Sequence, residues 1–214
     1  AYLRARLGAT RFDLPLLPVI PLGVDCATLA PNPAWRAEWR AKLGIAEGDA
    51  AVLMLGRLSF HAKAHPLPMF MALGRAAQSV PRRVHLILAG WFANDHQRDV
   101  FLRGAAALCP NVALHLLDGR HPDVRRQVWS AADVFTLLSD NIQETFGLAP
   151  LEGMAAGLPV VVSDWDGFRD TVEHGVHGFR VPTLMAGPQE ELADRHAAAL
   201  DSYDANIAGS AMFC

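Results

Sequence analysis

Between residues 50 and 182, short apolar runs rich in β-branched residues alternate with longer stretches of helical character. AVLML (51–55) is followed by PLPMFMALGRAAQS (66–79), VHLILA (84–89) by NDHQRDVFLRGAAAL (94–108), and VALHLL (112–117) by PDVRRQVWSAA (122–132). DVFTLL (133–138) precedes LAPLEGMAA (148–156), PVVVS (159–163) precedes GFRDTVEH (167–174), and GFRVP (178–182) closes the series. Pro122 suits the first turn of its helix, where a missing N–H costs nothing. Strands alternating with helices imply right-handed crossovers, and so predict an α/β fold: a parallel sheet covered by helices on both faces.

In such sheets ligands sit beyond the carboxyl ends of the strands. Gly56 and Arg57 follow the first strand, Gly90 the second, Asp118-Gly119-Arg120 the third, SDNIQETFG (139–147) the fourth, and Asp164-Trp165-Asp166-Gly167 the fifth. Glycines and charges therefore collect along one edge. Ahead of the first strand, RFDLPLLPVIPLGVD (11–25) is proline-rich and reads as an entering strand or a linker.

A chain of 214 residues suits a single domain. With 51% hydrophobic and 19% charged residues and a net charge of -3, it has the composition of a soluble globular protein and no basic surplus for nucleic acid. No apolar run reaches the roughly 18 to 20 residues of a spanning helix, and AYLRARLGAT (1–10) lacks the apolar core of a signal peptide. The expected compartment is cytoplasmic. Cys26, Cys109 and Cys214 form no C-x-x-C pair and read as reduced, structural thiols. The chain does not start with Met, and strand signals fade after residue 186, so a piece of a longer protein is expected.

The stretch ETFGLAPLE (144–152) places two carboxylates eight positions apart. On one continuous helix they would be about 12 Å apart along the axis and about 80° apart around it. Paired glycosidase carboxylates sit at roughly 5 to 9.5 Å, so an acid-base pair fits poorly. Pro150 belongs in a helix's first turn and Gly147 permits close backbone approach, which predicts a helix beginning near Leu148. Glu144 then hangs in the preceding loop and Glu152 lies about one turn inside. The helix N-terminus between them favours an anion such as phosphate, with hydroxyl groups of the same ligand donating to the carboxylates. A sugar nucleotide has that layout. GRLSFHAK (56–63) adds Arg57 and Lys63 for a diphosphate.

Taken together, IPLGVD (20–25), GRLSFHAK (56–63), SAADVFTLLSD (130–140), ETFGLAPLEGMAAGLPVVVSD (144–164) and HGVHGFRVPT (174–183) resemble family 4 retaining glycosyltransferases, also called group 1. The likeness is to the C-terminal, donor-binding, Rossmann-like half of their GT-B fold, and the E-x7-E motif with Phe-Gly-Leu inside it is the most specific part. The resemblance implies that Arg57 and Lys63 hold a diphosphate. Glu144 and the backbone of Thr145, Phe146, Gly147 and Leu148 would position the transferred sugar and its phosphate. Glu152 would bind the ribose hydroxyls, and backbone around Gly119 and Arg120 would meet the base. It further implies transfer with retention, stabilisation of the leaving diphosphate as the main catalytic term, and no metal or other cofactor. The acceptor, a sugar, lipid or other small molecule, would be held by an N-terminal domain absent from this chain, and peripheral membrane contact would be mediated mostly there. Alone, the chain would be inactive. The corresponding domain reading is residues 1–18 as linker or remnant of that domain, 19–186 as the nucleotide-sugar-binding domain, and 187–214 as a helical or irregular tail open to truncation. One departure concerns loop shape: the family usually has Gly after the lysine, where this chain has Ala64.

Other readings stay open beside this one. A non-catalytic nucleotide-sugar-binding or regulatory domain, or an epimerase or phosphorylase on the same fold, would keep the same pocket. A nicotinamide dehydrogenase is disfavoured because G-x-G-x-x-G is missing, and a P-loop ATPase because G-x-x-x-x-G-K-[ST] is. Asp164 and Asp166 imitate a metal-binding D-x-D, but their place at a strand end before Gly167 predicts turn and N-cap chemistry. His61 and His65 read as solvated loop residues, His174 and His177 as turn residues, and Trp91 as an edge aromatic or a wall of the base pocket.

Overall fold

The computed structural model describes residues 6–8, 10, 18, 20, 22–60, 62–140 and 144–183. Six parallel strands form one sheet in the order β3-β2-β1-β4-β5-β6: β1 Ala50–Arg57, β2 Val84–Trp91, β3 Ala113–Asp118, β4 Val134–Leu137, β5 Val160–Ser163 and β6 Gly178–Val181. This is the expected Rossmann-like sheet. The expected linker and tail at residues 1–18 and 187–214 lie almost wholly outside the described residues, as do His61 and Cys214.

Burial explains the strand pattern. Every residue of β2 from Val84 to Gly90 is buried, as a strand covered on both faces requires, whereas the edge strand β6 leaves Phe179 and Val181 exposed. The core is aromatic at its thickest points: Phe70 meets Phe101 edge-on at 6.3 Å, and Trp129 lies 5.3 Å from Phe135. Among the described residues no helix is long and apolar enough to cross a membrane.

Helices follow the sequence closely in places. They are α1 Cys26–Leu29, α2 Pro33–Leu43, α3 Leu67–Ser79, α4 Asp95–Leu108, α5 Pro122–Gln127, α6 Leu148–Ala155 and α7 Phe168–Thr171. Sequence reasoning assigned no helix to residues 26–49, yet α2 is well punctuated. Asn32 accepts from the N–H groups of Ala34 and Trp35, Pro33 opens the helix, and Gly44 ends it in the left-handed conformation. The helix expected over 122–132 breaks after Gln127 into a 3-10 turn, Val128–Ala131. The one expected over 167–174 is a single turn, because the chain must leave it by Val172 to place β6 beside β5.

A buried polar seam fastens α2 to the sheet. Arg40, 6% exposed, donates to the carbonyls of Ala131, Ala46 and Asp49 and to the Asp133 carboxylate, which also receives Arg36. Asp133 in turn accepts the Ala51 N–H at 2.8 Å. Burial pushes its carboxyl up, but the Arg36 guanidinium, the Ala51 N–H and then Arg40 together hold it below the usual range. On the neighbouring strands His85 lies between Asp49, at 3.1 Å, and His115, at 2.9 Å.

Strand order sets where a ligand can sit. The chain runs outward from β1 to β3 and then returns to the other side of β1 with β4. The loops leaving β1 and β4 therefore diverge at a topological switch point, and a crevice opens there at the carboxyl edge.

Candidate functional site

The two loops at the switch point carry the charged residues singled out in the sequence. Lys63 Nζ forms an ion pair with Glu144 Oε2 across a separation of 81 residues. Glu144 is 8% exposed and the lysine side chain only partly so. Arg57, the last residue of β1, donates from Nη2 to the Ala62 carbonyl at 3.2 Å and has no carboxylate partner among the described residues.

The loop between Arg57 and Lys63 is folded tightly on itself. Ser59 accepts the N–H groups of Lys63 and Ala64 on its carbonyl, both at 3.2 Å, and the Ala62 N–H on Oγ, also at 3.2 Å. Ala64 is buried and does not need glycine's conformations, since Asp166 alone among the described non-glycine residues has a positive φ. The missing glycine after the lysine is thereby accounted for.

Helix α6 starts at Leu148, where the sequence placed it. Its N-cap is Gly147, with φ 82° and no side-chain capping bond, and Pro150 has no N–H to satisfy. Among the described residues no side chain accepts from the first-turn amides of Leu148 and Ala149, an arrangement that attracts anions. Gly147 is required here by contact as well as by φ: a Cβ would lie 2.3 Å from Cε1 of the buried Phe168. Gly167 supports the same loop from below, because a Cβ there would lie 2.4 Å from the Thr145 carbonyl and 2.6 Å from Phe146 Cα. Thr145 and Leu148 are exposed, Phe146 is partly so, and Gly147 between them is buried.

Glu152 lies within α6 and is half-buried; burial pushes its carboxyl upward, and Arg125 pulls weakly the other way. Beyond β2 and β3 a cleft of 560 Å³ is lined by Trp91, Phe92, Arg98, Leu116, Asp118 and Arg120 among others. Arg120 grips Asp118 with Nε at 2.9 Å and Nη2 at 2.8 Å, and that fork lowers the Asp118 carboxyl to about 2. The backbone donors are committed as well: the Gly119 N–H to the Gly90 carbonyl at 3.0 Å and the Arg120 N–H to Asp118 Oδ1 at 3.0 Å. Glu144, Lys63, Arg57 and the 144–148 loop are brought together at the switch point, while Gly119 and Arg120 stand two strands away across β1 and β2.

The structure corrects one local reading. Asp164 makes no N-cap bond to α7; its carboxylate faces Arg169 at 3.3 Å and Arg180 at 3.5 Å. The turn itself stands, with Asp166 at φ 34°. His174 and His177 accept backbone N–H groups of Arg180 and Glu173, as turn residues do. Among the described residues no group of three or more His, Cys, Asp or Glu side chains is placed to hold a metal ion, and Cys26 and Cys109 are free thiols.

A six-stranded parallel α/β sheet with its order reversing at a switch point between β1 and β4 defines a domain of Rossmann-like architecture. The chain belongs to the glycosyl transferases group 1 family, whose model matches residues 36–206. It is 32% identical over 176 residues to a D-inositol 3-phosphate glycosyltransferase of Nocardia farcinica, covering 79% of this chain and 37% of that protein. A Mycolicibacterium gilvum protein of the same name is 34% identical over 164 residues, 75% of this chain and 34% of the relative. The chain thus spans little more than a third of the length of these curated relatives. Among solved structures, Anabaena HepE in complex with UDP-glucose superposes with a TM-score of 0.60 at 27% identity, over 88% of this chain and 50% of that one. The C-terminal domain of a group 1 glycosyl transferase from Francisella tularensis shares the fold at a TM-score of 0.59, over 87% of this chain and 93% of that domain. The Rossmann-like α/β fold of the chain matches part of these GT-B glycosyltransferase neighbours.

Proposed function

We propose that the chain is the donor-binding half of a retaining glycosyltransferase, and that a nucleotide-diphosphate sugar lies along the carboxyl edge of its sheet. The observation that carries this is the Lys63–Glu144 pair at the switch point, beside the uncapped N-terminus of α6. The cations Arg57 and Lys63 and the first-turn amides of Leu148 and Ala149 converge where a diphosphate would sit. Glu144 neutralises Lys63 in their ion pair; with donor bound, the lysine shares itself with phosphate and the carboxylate accepts from sugar hydroxyls. Glu152 takes the ribose hydroxyls, whose donated hydrogen bonds favour its charged form against burial. The base lies toward Gly119 and Arg120, with Trp91 at the wall of the adjoining cleft.

Transfer forms a bond from an acceptor hydroxyl oxygen to the anomeric carbon on the face from which the diphosphate departs. The anomeric carbon–oxygen bond to that phosphate breaks, and the acceptor's proton passes to the leaving phosphate oxygen. Arg57, Lys63 and the α6 amides stabilise the charge that develops there. This division of labour asks for no metal. The acceptor, a sugar, lipid or other small molecule, is held by a further domain outside the chain, and turnover needs that domain.

UDP-glucose occupies the Anabaena neighbour, so uridine nucleotides are the first to test. Calorimetric titration with UDP-, GDP- and ADP-sugars is expected to show binding of one class, weakened about tenfold or more by Glu152→Gln. Binding of none of them, by this chain or by the full-length protein, contradicts the proposal. Binding without turnover by the full-length protein would identify a donor-sensing domain instead.

A further inference from the structure

Behind Lys63 runs a line of buried hydroxyls for which the donor site as described has no use. Ser139, fully buried just past β4, donates from Oγ to the backbone carbonyl of Lys63 at 2.6 Å. Ser163, the last residue of β5 and 3% exposed, donates in turn to the carbonyl of Ser139. The ends of β5 and β4 are thereby joined, hydroxyl to carbonyl, to the backbone of one residue in the loop after β1. From the other side Ser59 closes the loop through the N–H groups of Ala62, Lys63 and Ala64.

Packing does not call for hydroxyls at these positions. The residues that precede them, Leu138 and Val162, are apolar, and alanine would occupy nearly the same space as either serine. A buried hydroxyl is retained at little cost only while it is hydrogen-bonded. What the serines supply is a fixed place for the Lys63 carbonyl. A lysine ammonium is a point charge on a flexible stem, so its reach is only as well defined as the backbone that carries it. Supporting groups that let such a charge drift by about 1 Å cost affinity and rate out of proportion to their own bonds.

We propose that Ser139 and Ser163 are positioning residues: they seat the Lys63 backbone at the switch point so that its ammonium meets the terminal phosphate of a nucleoside diphosphate. The proposal rests on the donor-site reading above. It adds that recognition of the second phosphate is built into the ends of β4 and β5 as well as into the lysine itself.

The experiment is a calorimetric cycle on the chain as it stands, with UDP and UMP as the two probes. Ser139→Ala is expected to weaken UDP binding about 3- to 10-fold and to change UMP binding less than about twofold. In a Lys63→Gln background the same substitution is expected to add nothing, because its effect passes through the lysine. Ser163→Ala is expected to act in the same direction and less strongly, and it carries the same cycle should Ser139→Ala fail to fold. Equal losses for UDP and UMP, or a loss that persists undiminished in the Lys63→Gln background, overturns the positioning role while leaving the donor site intact. An unmodified chain that binds UDP no better than UMP overturns the donor reading, and the positioning role falls with it.

Discussion

Substituting Gly147 with alanine separates two costs that coincide at the mouth of the site. The residue holds φ 82° and ψ 65°, a left-handed conformation that costs a non-glycine residue about 1–2 kcal/mol. Its Cβ would also lie 2.3 Å and 2.5 Å from two carbons of the Phe168 ring. Phe168 is fully buried, so the ring cannot swing into solvent, and overpacking of this kind costs about 1–3 kcal/mol. Gly147→Ala is therefore expected to destabilise by about 2–5 kcal/mol, a fall of roughly 4–20 °C in Tm for a chain of this size. Gly175→Ala is the control: its φ is 83°, but a Cβ there meets nothing within 4 Å, so only the strain applies. Thermal unfolding of both variants, with UDP titrated into each, provides the assay. Gly147→Ala should be the less stable of the two and should bind UDP at least about tenfold more weakly, since the α6 amides move with the loop. Equal midpoints for the two variants would refute the reasoning, because Phe168 would then have yielded without cost.

Glu152→Gln should stabilise the protein measured without nucleotide while weakening nucleotide binding. A carboxyl whose pKa is raised by folding binds its proton more tightly in the folded state, so stability declines as pH rises from the ordinary value of 4.5 through the folded one. The variant escapes that loss at pH 7 and not below about pH 4, and screening at a half-buried group keeps the gain below about 1 kcal/mol, or some 2–4 °C. Paired melts at the two pH values check it. Arg40→Ala should cost about 3–5 kcal/mol in urea unfolding at unchanged m-value, because it strips a buried ion pair and leaves the Ala46, Ala131 and Asp49 carbonyls without their donor. A loss below about 1 kcal/mol would mean that Arg36 alone holds Asp133.

The sheet was legible because strands buried on both faces read as unbroken apolar runs, and the start of α6 because Gly147 and Pro150 mark a helix N-terminus by their own backbone chemistry. Chemistry at the strand ends was legible too, since strand alternation alone says which residues follow each strand. Pairing was not. Lys63 meets Glu144 only because β4 returns beside β1, and no local pattern encodes that order. Ser139 and Ser163 carry no signal of their own, as a serine beside leucine or valine differs little from any other strand end. The seam of Arg40 and Asp133 was hidden for a related reason. Its arginine sits on α2, ahead of the alternating series, where the N-cap Asn32 and the closing Gly44 were nonetheless available to be read.

The central claim is that a nucleoside diphosphate binds at the β1–β4 switch point against the N-terminus of α6. Amide chemical-shift mapping of the labelled chain during a UDP titration tests it directly. The largest shifts are expected at Lys63, Gly147, Leu148 and Ala149, with smaller ones at Gly119 and Arg120. Shifts centred instead around Asn32, Arg36 and Asp133, which line a second cleft together with Trp129 and Leu158, would contradict it.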